Sequence, residues 1–194
     1  MNTDRAVDSS ARLYALAGWL SILHAVIIVP RVGLDHFAEA MSLSGSGIVQ
    51  LITGFQVVGE LVGIYVLFMF RRLLNERHSF HQVDSIILSL VFIYAASAIL
   101  GIAGLVSIPL LDVMFIRTIL YFLASLVSIV YAVRLLRLDS DLSGLLKPYV
   151  YTTIAGRACM ATVVLMQVGS LIYVVSLVVL GMILIRAESE PEYL

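Results

Sequence analysis

The segment SIILSLVFIYAASAILGIAGLV, residues 85–106, runs from Ser85 to Val106 without one charged side chain. A helix of that length matches the hydrocarbon core of a bilayer, about 30 Å thick and crossed by roughly 20 apolar residues. The pattern recurs along the chain. It predicts span 1 at 13–32, span 2 at 48–70, span 3 at 84–107 and span 4 at 112–134. Composition agrees, since 61% of the 194 residues are hydrophobic and 13% are charged, with a mean hydropathy of +1.04. A soluble domain of this length needs more charge to cover its surface. The expected class is therefore an all-α polytopic transmembrane bundle whose first partner is the lipid bilayer.

The breaks between spans carry turn and charge signals. Pro30-Arg31 and SLSGSG (42–47) divide spans 1 and 2, and RRLLNERHSFHQVD (71–84) divides 2 and 3. Ser107-Ile108-Pro109 precedes span 4, and RLLRLDSDLSGLLKP (134–148) follows it. The stretch 149–186 is too long for one comfortable span and barely long enough for two. Gln167-Val168-Gly169 stands where a hairpin turn would fall, so the expectation is two short spans, 149–166 and 169–186. One long tilted helix, giving five spans, is the alternative. Charge favours six. With both termini cytoplasmic, Arg5, Arg12, Arg71, Arg72, Arg77, Arg134, Arg137, Lys147 and Arg186 lie on the inner side and Arg31 alone lies outside. The spans then form three consecutive hairpins: a four-span bundle over 13–138 and a C-terminal hairpin over 149–186. An N-terminal tail (1–12), a loop (139–148) and a C-terminal tail (187–194) are expected to be cytoplasmic. No small-residue cleavage site follows the first apolar run, so that run is expected to be retained as a span.

A net charge of −1 with scattered basic residues excludes the concentrated cationic face that nucleic acid requires, and no nucleic-acid partner is expected. Cys159 is the only cysteine and has no internal disulfide partner.

The interior chemistry centres on GFQVVGELVGIYVLF (54–68), whose one charge is Glu60. A charged residue at a helix centre costs about 2.5–3.5 kcal/mol on insertion scales, so it usually faces the bundle and finds a partner. Glu60 lies about 16 Å along the helix from Arg71, near the midplane. Thr53, Gln56, Glu60 and Gly63 recur at intervals of three and four and share one face. Gly59 completes a GxxxG with Gly63, which allows a neighbouring helix to come close. The candidate partners are Arg157, about 12 Å along its span from Tyr149, and Arg117, on a stripe with Tyr121, Ala124 and Ser128. His24 in span 1 is also at mid-depth. Small or polar stripes on span 1 (Tyr14, Gly18, Ser21, Ala25) and span 3 (Tyr94, Ser97, Ala98, Gly101) complete a bundle with a modestly polar centre. The candidate polar cluster is Thr53, Gln56, Glu60, Arg117, Arg157 and His24.

A second constellation is HSFHQVD, with His78, His81 and Asp84 near the start of span 3. A metal site normally needs three or four converging ligands, so the preferred reading is an interfacial loop in which Asp84 caps span 3. A bis-histidine haem is disfavoured because only His24 lies within a span, with His36, His78 and His81 in loops. Signatures of zinc proteases, P-loop nucleotide binders, serine hydrolases and Rossmann folds are absent, so neither a cofactor nor enzymatic activity is expected.

LAGWL (16–20), Glu60 with IYVLFMFRR (64–72), and FIRTILYFLASLVSIVYAVRLLR (115–137) together resemble a family of small bacterial inner-membrane proteins of unknown function. That family has a GGWL-type first helix, a glutamate in span 2 and an arginine in span 4; here Ala17 replaces the first glycine. The resemblance implies a bacterial inner membrane and makes Glu60 and Arg117 the family-like pair, but it carries no activity. Two functions are weighed, the first being the leading expectation and the second its alternative. One is a non-enzymatic accessory or structural subunit, acting with other membrane subunits or by self-association. The other is a transporter or substrate-binding subunit in which Glu60 responds to protons or cations. Energy-coupling-factor substrate-binding subunits have this size and an AxxxA-type first helix, which Ala11-x-x-x-Ala15 loosely matches.

Overall fold

The computed structural model describes residues 3–40, 47–106, 110–162 and 165–189. They form α1 (Thr3–Ala40), α2 (Gly47–His78), α3 (Asp84–Val106), α4 (Leu110–Leu135), α5 (Leu146–Ala161) and α6 (Met166–Ser189). No strand occurs among the described residues, and the bundle is all-α as expected. Five of the helices are long and apolar enough to cross a membrane. The exception, α5, has 16 residues and is about 24 Å long. By length alone the number of crossing helices is thus five, the alternative count. The route to it differs, because 149–186 is two helices rather than one long tilted one.

Each helix packs on the next in sequence, and α6 returns to pack on α1. Neighbours run antiparallel throughout. Tyr14 and His24 of α1 meet Glu76 and Gly59 of α2, and Arg71 and Glu60 of α2 meet Asp84 and Ser97 of α3. Ser97 meets Arg117 of α4, Tyr131 meets Tyr149 of α5, and Thr153 meets Ser176 of α6. The result is a closed ring of six helices. Its start and its finish lie at the same end, together with Arg12, Arg71, Arg72, Arg77, Arg134, Arg137, Lys147 and Arg186.

Two reciprocal glycine contacts seat α6. A Cβ on Gly18 would lie 2.7 Å from the Gly181 carbonyl oxygen, and one on Gly181 would lie 2.8 Å from the Gly18 oxygen. On the other side, a Cβ on Gly156 would lie 3.1 Å from the Gly169 oxygen, and one on Gly169 would lie 2.6 Å from the Gly156 oxygen. Membrane helices gain no hydrophobic energy from one another, so backbone approach of this kind is a main source of their association. Between the glycine pairs, Ser21 Oγ donates to the Leu177 carbonyl at 2.8 Å.

Several expected boundaries move. The turn placed at Gln167-Val168-Gly169 lies inside α6, because Gly169 serves helix packing rather than a bend; α5 ends at Ala161 and α6 begins at Met166. The segment 71–78, expected as a loop, continues α2 and buries Leu73 and Leu74. It stops where Ser79 adopts a φ of 48° and the Phe80 amide bonds back to the Leu74 carbonyl at 3.1 Å, a helix-ending arrangement. Residues expected in the N-terminal tail are helical from Thr3, and α1 runs on through exposed Pro30 to Ala40. His36 therefore belongs to a helix rather than a loop. SLSGSG falls outside the described residues up to Gly47, which opens α2, and so does Ser107-Ile108-Pro109.

The polarity of the ring is inverted relative to a soluble bundle. Trp19, Leu23 and Val26 of α1 and Ile99 of α3 face outward, and Phe92 is 75% exposed. Ser21, Ser97, Ser125, Ser128, Thr153 and Ser176 are buried. Ser21, Ser97, Thr153 and Ser176 hydrogen-bond between helices, where lipid offers no partner, while Ser125 donates to the Tyr121 carbonyl of its own helix. Within the ring the two halves differ. Toward the basic end the interior is filled by Phe70, Leu73, Leu74, Ile87, Tyr131, Leu135 and Tyr149. Phe70 and Tyr149 pack edge-on at 5.7 Å. Toward the opposite end the interior is hollow.

The seating of α6 is testable by thermal melting in detergent. Gly181→Ala should destabilise by about 1–3 kcal/mol through overpacking. Gly54→Ala, where nothing lies within 4 Å of the added carbon, should be neutral or stabilising because alanine favours the helix. Equal effects of both would refute glycine-mediated closure.

Candidate functional site

Glu60 is 6% exposed, on the face of α2 that looks into the ring. Its Oε1 accepts three hydrogen bonds: from Ser97 Oγ at 2.7 Å, from Arg117 Nη2 at 3.1 Å and from the Tyr121 hydroxyl. Gln56 Nε2 donates to the same tyrosine oxygen at 2.5 Å, and Arg117 Nε reaches Ser97 Oγ at 3.4 Å. Of the two arginines competing for Glu60, the structure selects Arg117. The reason is register. Antiparallel packing of α3 and α4 sets Arg117 level with Ser97 and Gly101, deeper than its place in the sequence suggested. Gly101 makes room for it, since a Cβ there would lie 3.2 Å from the guanidinium carbon.

Arg157 is placed elsewhere. It is 3% exposed, donates from Nη2 to the Tyr94 hydroxyl at 2.5 Å, and stacks on the Tyr173 ring with 4.0 Å to the centroid. Its Nε has no hydrogen-bond partner. An aromatic face attracts a guanidinium but does not neutralise it.

His24 does enter the polar centre. Its ring lies against α2 where Gly59 leaves space, for a Cβ on Gly59 would sit 2.7 Å from Nε2. Thr53 does not join the cluster; its hydroxyl bonds to the Val49 carbonyl of its own helix at 2.9 Å. Tyr94, Tyr121 and Tyr173, which complete the site, were not among the expected site residues. Tyr121 was signalled by its place four residues after Arg117 on one helical stripe, whereas nothing in the sequence marks Tyr173.

These groups line one open-mouthed cavity, to which all six helices contribute residues. The other oxygen of Glu60, Oε2, is buried and has no hydrogen-bond partner. Phe55, Met160 and Met166 give the wall an apolar side, and Arg31 lies toward the end opposite the basic one. A smaller cavity lies beneath. His24, Gly63, Tyr94, Arg157 and Tyr173 line both and form the layer between them.

The histidine constellation resolves differently. His81 Nδ1 lies 3.3 Å from Asp84 Oδ2, while Arg71 Nε at 2.8 Å and Asn75 Nδ2 at 3.0 Å bind Asp84 Oδ1. Asp84 thereby ties the end of α2 to the start of α3. Among the described residues no group of three or more metal-ligating side chains converges there. Compared with protein families, curated proteins and solved structures, the chain matches none.

Pairing of Glu60 with Arg117 predicts a specific mutant cycle. Arg117→Met should cost about 3 kcal/mol or more by stranding a buried carboxylate, and adding Glu60→Gln should recover much of that loss. Glu60→Gln should not rescue Arg157→Met. Melting temperatures of the four variants check the assignment, and rescue of Arg157→Met would reverse it.

Proposed function

We propose that the chain is a membrane-embedded binding or transport protein for a small solute. The observation that supports this most is the open cavity lined by Glu60, Arg157, His24 and three tyrosines. A bundle that serves only as a spacer gains nothing from such a space, because close packing is what holds membrane helices together. The apolar fill at Phe70, Leu73, Leu74 and Leu135, nearer the basic end than either cavity, supports a site approached from one end only. Glu60, with Oε1 held by three donors and Oε2 unpartnered, is the group we assign to sense a proton or cation during turnover.

The positive-inside rule supports placing the basic end in the cytoplasm, and the resemblance to small bacterial proteins supports a bacterial inner membrane. We take α5 to cross with its neighbours, which sets both termini on the cytoplasmic side. Reporter fusions check this point. Termini on the same side are expected, and termini on opposite sides would exclude six crossings.

Purification from native membranes in mild detergent tests the functional reading. A bound small molecule seen by native mass spectrometry is expected. A stoichiometric protein partner with no small molecule would favour an accessory subunit instead. In a transport assay the double variant Glu60→Gln/Arg117→Met, which strands neither charge of the buried pair, should fold and lose turnover; unchanged turnover would remove Glu60 from the mechanism.

A further inference from the structure

Charge bookkeeping inside the ring leaves one residue over. Glu60 and Arg117 neutralise one another at 3.1 Å. Among the described residues no carboxylate makes an ion pair with Arg157, whose contacts are the Tyr94 hydroxyl and the Tyr173 ring. A buried cation in low dielectric is costly unless a counter-charge and hydrogen bonds compensate it. Tyrosines supply dipoles and a ring face but no negative charge. The Nε without a partner belongs to a side chain that lines the cavity.

We propose that the solute is a small organic acid whose single carboxylate docks on Arg157, with an apolar body lying against Phe55, Met160 and Met166. This rests on the solute-binding reading and names its ligand class. A planar guanidinium presents paired N–H groups that match the two oxygens of a carboxylate. Stacking on Tyr173 and the bond to Tyr94 hold that plane in place before the ligand arrives, which limits the entropy lost on binding. Glu60 also lines this space, and its carboxylate disfavours a second negative group. The methionine side chains adapt to apolar bodies of varied outline.

The ligand chemistry has two sources, a water-soluble acid or a fatty acid from the bilayer. The test uses the full chain in lipid nanodiscs, with calorimetry and thermal shift. The probes are benzoate and hexanoate, their amides, the corresponding amines benzylamine and hexylamine, and palmitate delivered in the lipid. At least one acid should bind, with its uncharged and cationic analogues at least about tenfold weaker, as the loss of a charge-assisted hydrogen bond implies. Binding confined to palmitate upholds the carboxylate site and locates its source in the bilayer. Arg157→Gln should weaken the acid about tenfold or more, and Arg157→Lys should retain part of the affinity. Should Arg157→Gln not fold, the acid-over-amide preference of the unaltered chain decides by itself.

Amides or amines binding as well as acids would overturn the anion assignment while leaving solute binding intact. So would full affinity for the acid in folded Arg157→Gln. No binding by any acid, palmitate included, also overturns it. The broader reading falls with it only if the protein purified from native membranes carries no small molecule.

Discussion

A carboxylate in hydrocarbon must find a cation, and in this chain the search ends 3.1 Å away at Arg117. Much of the ring's first half follows from that contact. Glu60 is on α2 and Arg117 on α4, so both must reach past α3. Ser97 bridges them there, and Gly101 gives up a side chain to let the guanidinium through. Tyr121 and Gln56 then extend the network one step further along α4 and α2. A polar network of this kind specifies one register among the many that apolar helices tolerate, since sliding any member strands a charge.

The other half of the ring is held by a different device. α6 carries no charge to the interior; it approaches α1 and α5 through backbone at Gly181 and Gly169. One half is thus ordered by electrostatics and the other by close contact. Arg157 and Tyr173 occupy the layer between the two cavities. Because Arg117 satisfies Glu60, no acid among the described residues pairs with Arg157. That surplus distinguishes the interior from one that is only packed.

The spans were legible because their signal is composition over about twenty residues, which tertiary context does not override. The face Gln56/Glu60/Gly63 was legible for a similar reason, as helical periodicity alone places those residues together. What failed depended on partners. Gly169 reads as a turn until Gly156 is known to lie against it, and the segment 71–78 reads as a charged loop until Leu73 and Leu74 are seen buried. The choice between Arg117 and Arg157 turned on the relative depth of two helices, which neither helix encodes alone. Even so, the stripe Arg117/Tyr121/Ala124/Ser128 already contained half of the answer, for its tyrosine is the side chain that joins the arginine on Glu60.

The brevity of α5 bears on the surrounding lipid. At 16 residues it falls about 6 Å short of an average hydrocarbon core. A bilayer meeting a short wall thins beside it rather than leaving polar backbone in oil. Headgroups and water are drawn down along α5, toward Met160 and Met166 on the cavity lining. With α5 taken as a crossing helix, the rim is lowest on that side. On the solute-binding proposal, that lowered rim would set the mouth of the cavity at headgroup level rather than in the oil.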